Sequence, residues 1–138
     1  MWQQQFSTTT TIPKEKIWKV ISDIENWHKW DDEIEYTKLN GEAKAGTNFV
    51  LKPKGAPKVT LTIEEFSPSS RFVDLTHFPL AKMRTIHELA ETSSGTNINV
   101  TIQVYGLLGF LWRKIVAEKQ VKGLPEQTRH LLEVAQNV

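Results

Sequence analysis

The chain has 138 residues, the length of one ordinary domain. Seventeen lysines and arginines against sixteen aspartates and glutamates leave a net charge of +1. That balance does not suit a protein whose main task is to grip phosphate backbones, so no nucleic-acid partner is expected. The absence of cysteine excludes disulfides, thiolate metal sites and cysteine nucleophiles.

The sequence shows no segment that would place the chain in a membrane. Its longest apolar run, Val104 to Trp112, is about half as long as a membrane span and is broken by glycines. The first five residues lack the basic and apolar regions of a signal peptide. We therefore expect a cytoplasmic protein with no membrane insertion.

The first third of the chain predicts one strand and two short helices. A β-branched run favours a strand over residues 2–10, and Pro13 then fixes the start of a helix. Trp27 and Trp30 lie three residues apart and share a face if a second short helix comes next. The apolar stripe of the first helix comprises Ile17, Val20, Ile21 and Ile24.

From Ile34 to Tyr105 the apolar residues alternate with polar ones and are interrupted by turn residues, which predicts six consecutive strands. An antiparallel meander buried on one face needs an apolar cover, and only the segment 107–138 is long enough. We expect that segment to form a helix that bends or breaks at Gly123-Leu124-Pro125. Its predicted apolar stripe comprises Leu108, Leu111, Ile115, Leu124, Leu131, Leu132 and Ala135.

This order of elements predicts an α+β fold. One strand, two short helices, six strands and one long helix give a curved seven-stranded antiparallel sheet wrapped around the C-terminal helix. A sheet curved around one helix encloses a space between them, and ligands bind in such spaces.

Seven short motifs follow one another along the chain. They are Ile12-Pro13-x-x-x-x-Trp18, Ser22-Asp23, Trp27-x-x-Trp30, Gly46-Thr47, Ser70-Arg71-Phe72, Gly95-Thr96 and Tyr105-Gly106. This ordered set resembles the polyketide cyclase/dehydrase-like branch of the START-like, or helix-grip (SRPBCC), superfamily. The resemblance implies a helix-grip fold and a single START-like ligand-binding domain over residues 1–138. Carriers, lipid-transfer modules, cyclases, hormone receptors and chaperone activators belong to this superfamily, so the fold does not fix the function.

The leading hypothesis is a protein that binds a small, largely hydrophobic molecule, of lipid, polyketide or aromatic type, between the sheet and the helix. The expected helix stripe is thin near Lys119, where complete packing would need apolar residues. For the tryptophans, plain packing and plugging are favoured over ligand contact. The candidate lining residues are Trp30, Phe49, Leu51, Leu61, Phe72, Thr76, Met83, Thr85, His87, Val100, Ile102, Trp112, Ile115 and Lys119.

Asp74 and His87 are the candidate catalytic residues. If Phe78 pairs with Met83, Asp74 lies opposite His87 on one face, and the pair could act as acid and base in a cyclase or dehydratase. In the alternative, the apolar neighbours of Asp74 point inward and the carboxyl points outward. A histidine satisfied by a backbone carbonyl is the structural alternative for His87.

A third hypothesis is a protein-interaction module of the chaperone-activator type. Lys52, Lys54 and Lys58 surround a Pro- and Gly-rich hairpin tip that could attract an acidic partner. A homodimer through an edge strand or the long helix stays open. No cofactor and no metal are expected, because the four histidines lack metal-ligand spacing and no nucleotide-binding motif is present.

Overall fold

The structure is a computed structural model that describes residues 1–138. It contains seven strands, two short helices after the first strand, and a long helix at the end, as the sequence predicts. The elements are β1 Trp2–Thr10, α1 Lys14–Ser22, a 3₁₀ helix Ile24–Lys29, β2 Ile34–Leu39, β3 Asn48–Pro53, β4 Val59–Ser67, β5 Arg71–Phe78, β6 Ala81–Thr92, β7 Gly95–Tyr105, α2 Gly109–Trp112, a π-helical turn Arg113–Ala117 and α3 Glu118–Gln136.

The seven strands form one antiparallel sheet in the order β1-β7-β6-β5-β4-β3-β2. Strands β2 to β7 are a meander, and β1 returns to pair with β7 over its full length. The predicted α+β helix-grip architecture is therefore confirmed. The sheet is open, with β1 at one edge and β2 at the other.

The two short helices pack onto the sheet through an aromatic cluster. Trp27 is 5% exposed, and its indole N–H donates to the carbonyl oxygen of Ile21 at 2.9 Å. Its ring system lies edge-on to Phe49 and Phe72, at centroid distances of 5.4 and 5.7 Å. Edge-to-face contacts of this kind add to the burial of apolar area. The interpretation of Trp27 as a packing residue is confirmed.

The C-terminal helix, Gly109–Gln136, differs from the sequence expectation in two ways. It is helical without interruption through Gly123 and Pro125, so of the expected bend or break, the break does not occur. Near its start, the π-helical turn Arg113–Ala117 adds about one residue to the helical repeat. This extra residue changes which side chains face the sheet.

The predicted apolar stripe of the helix is correct in its second half and wrong in its first half. Leu124, Leu131 and Ala135 are buried, whereas Leu111 and Ile115 are 39% and 55% exposed. Helical spacing back from Leu124 reaches Ala117 rather than Ile115, because the two halves are out of phase. The sheet-facing positions are Ala117, Val121, Leu124, Thr128, Leu131 and Ala135.

Because the helix is continuous, Gly123 lies in its interior, where glycine is expected to lower stability. A Cβ at this position meets nothing within 4 Å, and alanine is a better helix former than glycine. We expect Gly123→Ala to raise the free energy of unfolding by about 0.5–1 kcal/mol in urea denaturation.

Gly95→Ala serves as the contrasting variant. Gly95 has a φ of +129°, and an added Cβ would clash with the Thr10 carbonyl oxygen. This substitution should destabilise the protein strongly. A loss of stability in Gly123→Ala would indicate that the helix ends near this glycine.

Candidate functional site

The hairpin β5–β6 carries the candidate polar residues, and its register differs from the expected one by two residues. Phe78 pairs with Ala81, which leaves only Pro79 and Leu80 in the turn. The predicted pairing of Asp74 with His87 is therefore wrong: His87 lies opposite Phe72. The two-residue turn was not predicted because Leu80 occupies a turn position with φ +57°, where glycine is usual.

A two-residue shift keeps every side chain on its expected face. Phe72 belongs to the main core and packs against Trp27, and the period of two places Asp74 and Thr76 on the same face of the strand. Val73 and Leu75 are also buried but belong to the opposite face. Asp74 thus points inward. The sequence left this orientation open because both faces of β5 are buried.

The inward face of this hairpin holds a small group of polar residues. Asp74 lies directly opposite Thr85, and His87 lies two residues further along β6. Asp74, Thr76 and His87 are 3%, 3% and 7% exposed. They are surrounded by apolar neighbours in the adjoining strands, such as Ile63 opposite Asp74.

Burial holds both titratable groups in their neutral forms. Desolvation raises the pKa of the Asp74 carboxyl to about 8, and the charge of Glu64 contributes to the increase. Desolvation alone lowers the pKa of the His87 imidazole to about 4. Near pH 7 the site therefore contains a protonated carboxyl and an uncharged imidazole, not an ion pair.

Neither group is satisfied within the protein. The Nδ1 atom of His87 is buried without a hydrogen-bond partner, so the alternative of a histidine held by a backbone carbonyl at that nitrogen does not apply. The Asp74 carboxyl forms no hydrogen bond to another side chain or to the backbone. Buried polar groups of folded proteins are nearly always paired, so two unpaired neighbours on one face are unusual.

Most of the other candidate lining residues lie in the interior, and the exceptions come from the C-terminal helix. Leu51 and Thr85 are half-buried. Ile115 points to solvent, and Lys119 is exposed and paired with Glu33 at 3.5 Å, so the expected inward orientation of both is wrong. The buried candidates are Trp30, Phe49, Leu61, Phe72, Thr76, Met83, His87, Val100 and Ile102.

Trp112 packs on the β5–β6 hairpin at the start of the C-terminal helix. Its ring stacks on Phe78 at a centroid distance of 4.5 Å, and its indole N–H donates to the Pro79 carbonyl oxygen at 3.0 Å. These contacts agree with the plug interpretation. Trp30 is buried against Trp27, and its own indole nitrogen has no partner.

Thr128, a buried polar residue of α3, is not among the residues predicted from the sequence. It is 4% exposed and lies on the sheet-facing stripe between Leu124 and Leu131. The signal was present, because Thr128 comes four residues after Leu124 and three before Leu131. It brings a hydroxyl to the face of the helix that is turned toward the sheet.

A cleft of about 340 Å³ opens where β7 runs into the C-terminal helix. Val104, an inward residue of β7, lies in its wall, so the cleft reaches the interior face of the sheet. Arg113 also lines it, and the Nε atom of this arginine is buried without a partner. The other lining residues are Met1, Trp2, Tyr105, Gly106, Gly109 and Phe110.

The acidic and histidine side chains of the structure do not converge on a metal site. No group of three or more His, Asp or Glu side chains is arranged to hold a metal ion. Among the helices, none has both the length and the apolar character needed to cross a membrane.

Comparison with known proteins places this architecture in a family. The family model for polyketide cyclase / dehydrase and lipid transport matches residues 1–135. The chain belongs to this family. Because the match covers nearly the whole sequence, the family assignment applies to the sheet and the C-terminal helix together. No curated protein matches the chain in sequence.

Solved structures similar to this member of the polyketide cyclase / dehydrase and lipid transport family share its fold at low identity. A protein of Nitrosomonas europaea is 17% identical, with a TM-score of 0.77 over 98% of this chain and 94% of its own. A hypothetical protein of Helicobacter pylori is 13% identical, with a TM-score of 0.77 over 96% and 86%. The di-domain ARO/CYC protein StfQ, from the steffimycin biosynthetic pathway, is 11% identical, with a TM-score of 0.72 over 96% and 49%.

The two buried titratable groups should give opposite pH dependences of stability. The pKa of Asp74 is about 8 in the folded protein, above its ordinary value of 3.8, so its contribution falls as pH rises from about 4 to 8. The pKa of His87 is about 4, below its ordinary 6.5, so its contribution rises as pH rises from about 4 to 6.5.

We therefore expect Asp74→Asn to remove the loss of stability above pH 6.5, with a gain at pH 8 on the order of 2–4 kcal/mol. His87→Gln should flatten the rise between pH 4 and 6.5. Urea denaturation at a series of pH values measures both. Parallel pH profiles for the wild type and Asp74→Asn would mean that the carboxyl is ionised and solvated in the folded protein.

Proposed function

We propose that this protein binds a small, largely hydrophobic molecule between the inward face of the sheet and the C-terminal helix. The observation that carries the proposal is the buried, unpaired Nδ1 atom of His87 on the same inward face as the buried Asp74 carboxyl, within an otherwise apolar interior. The family description, which joins polyketide cyclases and dehydrases with lipid transport, agrees with this class of ligand.

The protonation states indicate which polar group the ligand carries. A protonated Asp74 carboxyl offers a hydrogen-bond donor, and the neutral imidazole of His87 offers a donor at one nitrogen and an acceptor at the other. A carbonyl or hydroxyl oxygen would satisfy these groups without bringing a charge into the interior. A charged ligand group would incur a large desolvation cost here, because no opposite charge is available.

The threonines extend this polar contact. Thr85 lies opposite Asp74 on β6, and Thr76 comes after Asp74 on the inward face of β5. Few polar groups in an apolar setting fix the orientation of a ligand, while the surrounding side chains supply most of the binding free energy.

Matched pairs of ligands with and without a carbonyl test the proposal. We expect 1-tetralone and 9-fluorenone to bind more tightly than tetralin and fluorene, as measured by isothermal titration calorimetry. Asp74→Leu should reduce that preference by roughly threefold to tenfold, the effect of one neutral hydrogen bond. Native mass spectrometry of the purified protein should also detect a released, largely apolar molecule.

His77→Gln is the matched control, because His77 lies on the same hairpin but is exposed and bonds to Thr62 on the outer face. It should leave the ligand preference unchanged. Equal binding of the carbonyl compounds and their hydrocarbons to the wild-type protein, with no co-purified molecule, would contradict the proposal.

A second candidate function is a cyclase or dehydratase that uses the same residues. Its support is the separation of the two pKa values, which leaves an acid and a potential base in one apolar site at neutral pH. The Asp74 carboxyl would donate a proton to a ligand oxygen, and the His87 imidazole would accept one from carbon.

Catalysis would distinguish this function from binding alone. A bound β-hydroxy ketone should lose water faster in the presence of the wild-type protein, and both Asp74→Asn and His87→Gln should abolish that acceleration. The binding function predicts unchanged substrate under the same conditions.

A further inference from the structure

The first turns of the C-terminal helix present an apolar stripe to solvent. Leu107, Phe110, Leu111 and Ile115 are 79%, 62%, 39% and 55% exposed. Leu107 lies in the turn before the helix, and the spacing of Phe110, Leu111 and Ile115 places these three on one side of it. Clustered apolar side chains that face water mark an interaction surface more often than single ones do.

The β5–β6 turn lies beside this stripe and adds a fifth exposed side chain, Leu80. The backbone N–H of Leu108 donates to the Leu80 carbonyl oxygen at 2.9 Å, and Trp112 donates to the neighbouring Pro79. Leu80 is 63% exposed although its φ of +57° is unfavourable for leucine. We call the five residues Leu80, Leu107, Phe110, Leu111 and Ile115 the apolar tip.

Unpaired cations lie at the same end of the sheet as the apolar tip. Lys82 and Lys114 are exposed beside it, and Lys54 and Lys58 lie in the β3–β4 turn at the same end of the sheet. None of the four forms an ion pair, whereas the acids at the start of β2 are engaged: Glu35 with Lys52 at 3.1 Å and Glu33 with Lys119. Segments 43–63, 75–87 and 92–117 contain no Asp or Glu, and the acids Asp31 to Glu35 lie before and within β2, at the edge of the sheet away from β6 and β7.

We infer that the apolar tip docks onto the surface of an anionic lipid bilayer. Apolar side chains would enter the boundary between headgroups and acyl chains, and the cations would meet the negative surface potential. This is peripheral contact by side chains and requires no spanning helix. The inference differs from the sequence expectation of no membrane insertion. The sequence pattern placed Leu111 and Ile115 on the buried side of the helix, and the structure exposes them.

A second copy of the chain fits this surface less well. A two-fold contact centred on the apolar tip would bring the same lysines of both copies toward each other, whereas the acids of this end lie at β2, on the other edge of the sheet. An anionic bilayer supplies the opposite charge over the whole surface. The charge pattern therefore favours the bilayer.

The position of the 340 Å³ cleft connects the docking surface with the interior. Phe110 belongs to both, and Arg113 lies one turn further along in the cleft wall. A docked protein would turn the opening of the cleft toward the lipid. The docking inference itself rests on the exposed side chains and their charges, and it stands whether or not the interior holds a ligand.

Co-sedimentation with vesicles tests the inference directly. We expect the wild-type protein to bind vesicles of phosphatidylglycerol and phosphatidylcholine at least tenfold more tightly than vesicles of phosphatidylcholine alone, with weaker binding as salt rises. Lys82→Glu/Lys114→Glu and Leu107→Ser/Phe110→Ser should each reduce binding at least tenfold. Lys29→Glu/Lys38→Glu, a charge-matched control on other surfaces, should leave most of the binding intact.

Leu80→Gly separates docking from folding. Glycine accepts the positive φ at this turn, so the thermal midpoint should stay unchanged or rise while vesicle binding falls. Absence of wild-type binding to the anionic vesicles would overturn the inference, as would equal binding by Lys82→Glu/Lys114→Glu. Concentration-dependent association that Leu107→Ser/Phe110→Ser abolishes, without vesicle binding, would instead assign the tip to a protein interface.

Discussion

The structure depends on how one helix covers one face of a wide sheet. Seven strands about 4.8 Å apart span roughly three times the diameter of a helix, so a single straight helix could not bury them. The sheet curves around the helix, and α1 with the 3₁₀ helix covers the part that the C-terminal helix does not reach. Trp27 joins α1 and the 3₁₀ helix to the sheet through its bond to Ile21 and its contacts with Phe49 and Phe72.

Within that arrangement, the polar residues of the β5–β6 hairpin are costly for stability. A buried carboxyl and a buried imidazole, neither with a partner, lower the free energy of unfolding relative to apolar residues of similar size. The protein avoids the larger cost of burying charges by keeping both groups neutral. Sites that retain such a cost are commonly sites of function, where a bound molecule supplies the missing partners.

Much of the fold could be predicted from the sequence because it depends on repeated local signals. Periodicity and turn residues predict the strand over residues 2–10, the helix start at Pro13 and the six strands between Ile34 and Tyr105, and the structure agrees. The whole-chain family match confirms the resemblance that the ordered motifs carried.

The errors lie where one residue changes the geometry of the residues after it. Leu80 at a positive φ closes a two-residue turn that composition does not predict, and this moved His87 opposite Phe72. The π-helical turn shifts the helix phase by about one residue, which turned Ile115 outward. A single sequence therefore could not show that Asp74 and His87 do not pair, or that the first part of the helix does not line the interior.

The two edges of the open sheet are unequal. Strand β2 has a bulge between Ile34 and Tyr36 and carries charged residues, both of which discourage the addition of another strand. Strand β1 is nine residues long, has no charged residue and pairs with β7 without a shift in register. Its free edge thus offers a regular row of backbone hydrogen-bonding groups. An extended peptide would therefore add to this sheet more readily at β1 than at β2. At high concentration, aggregation by strand addition is expected at the β1 edge.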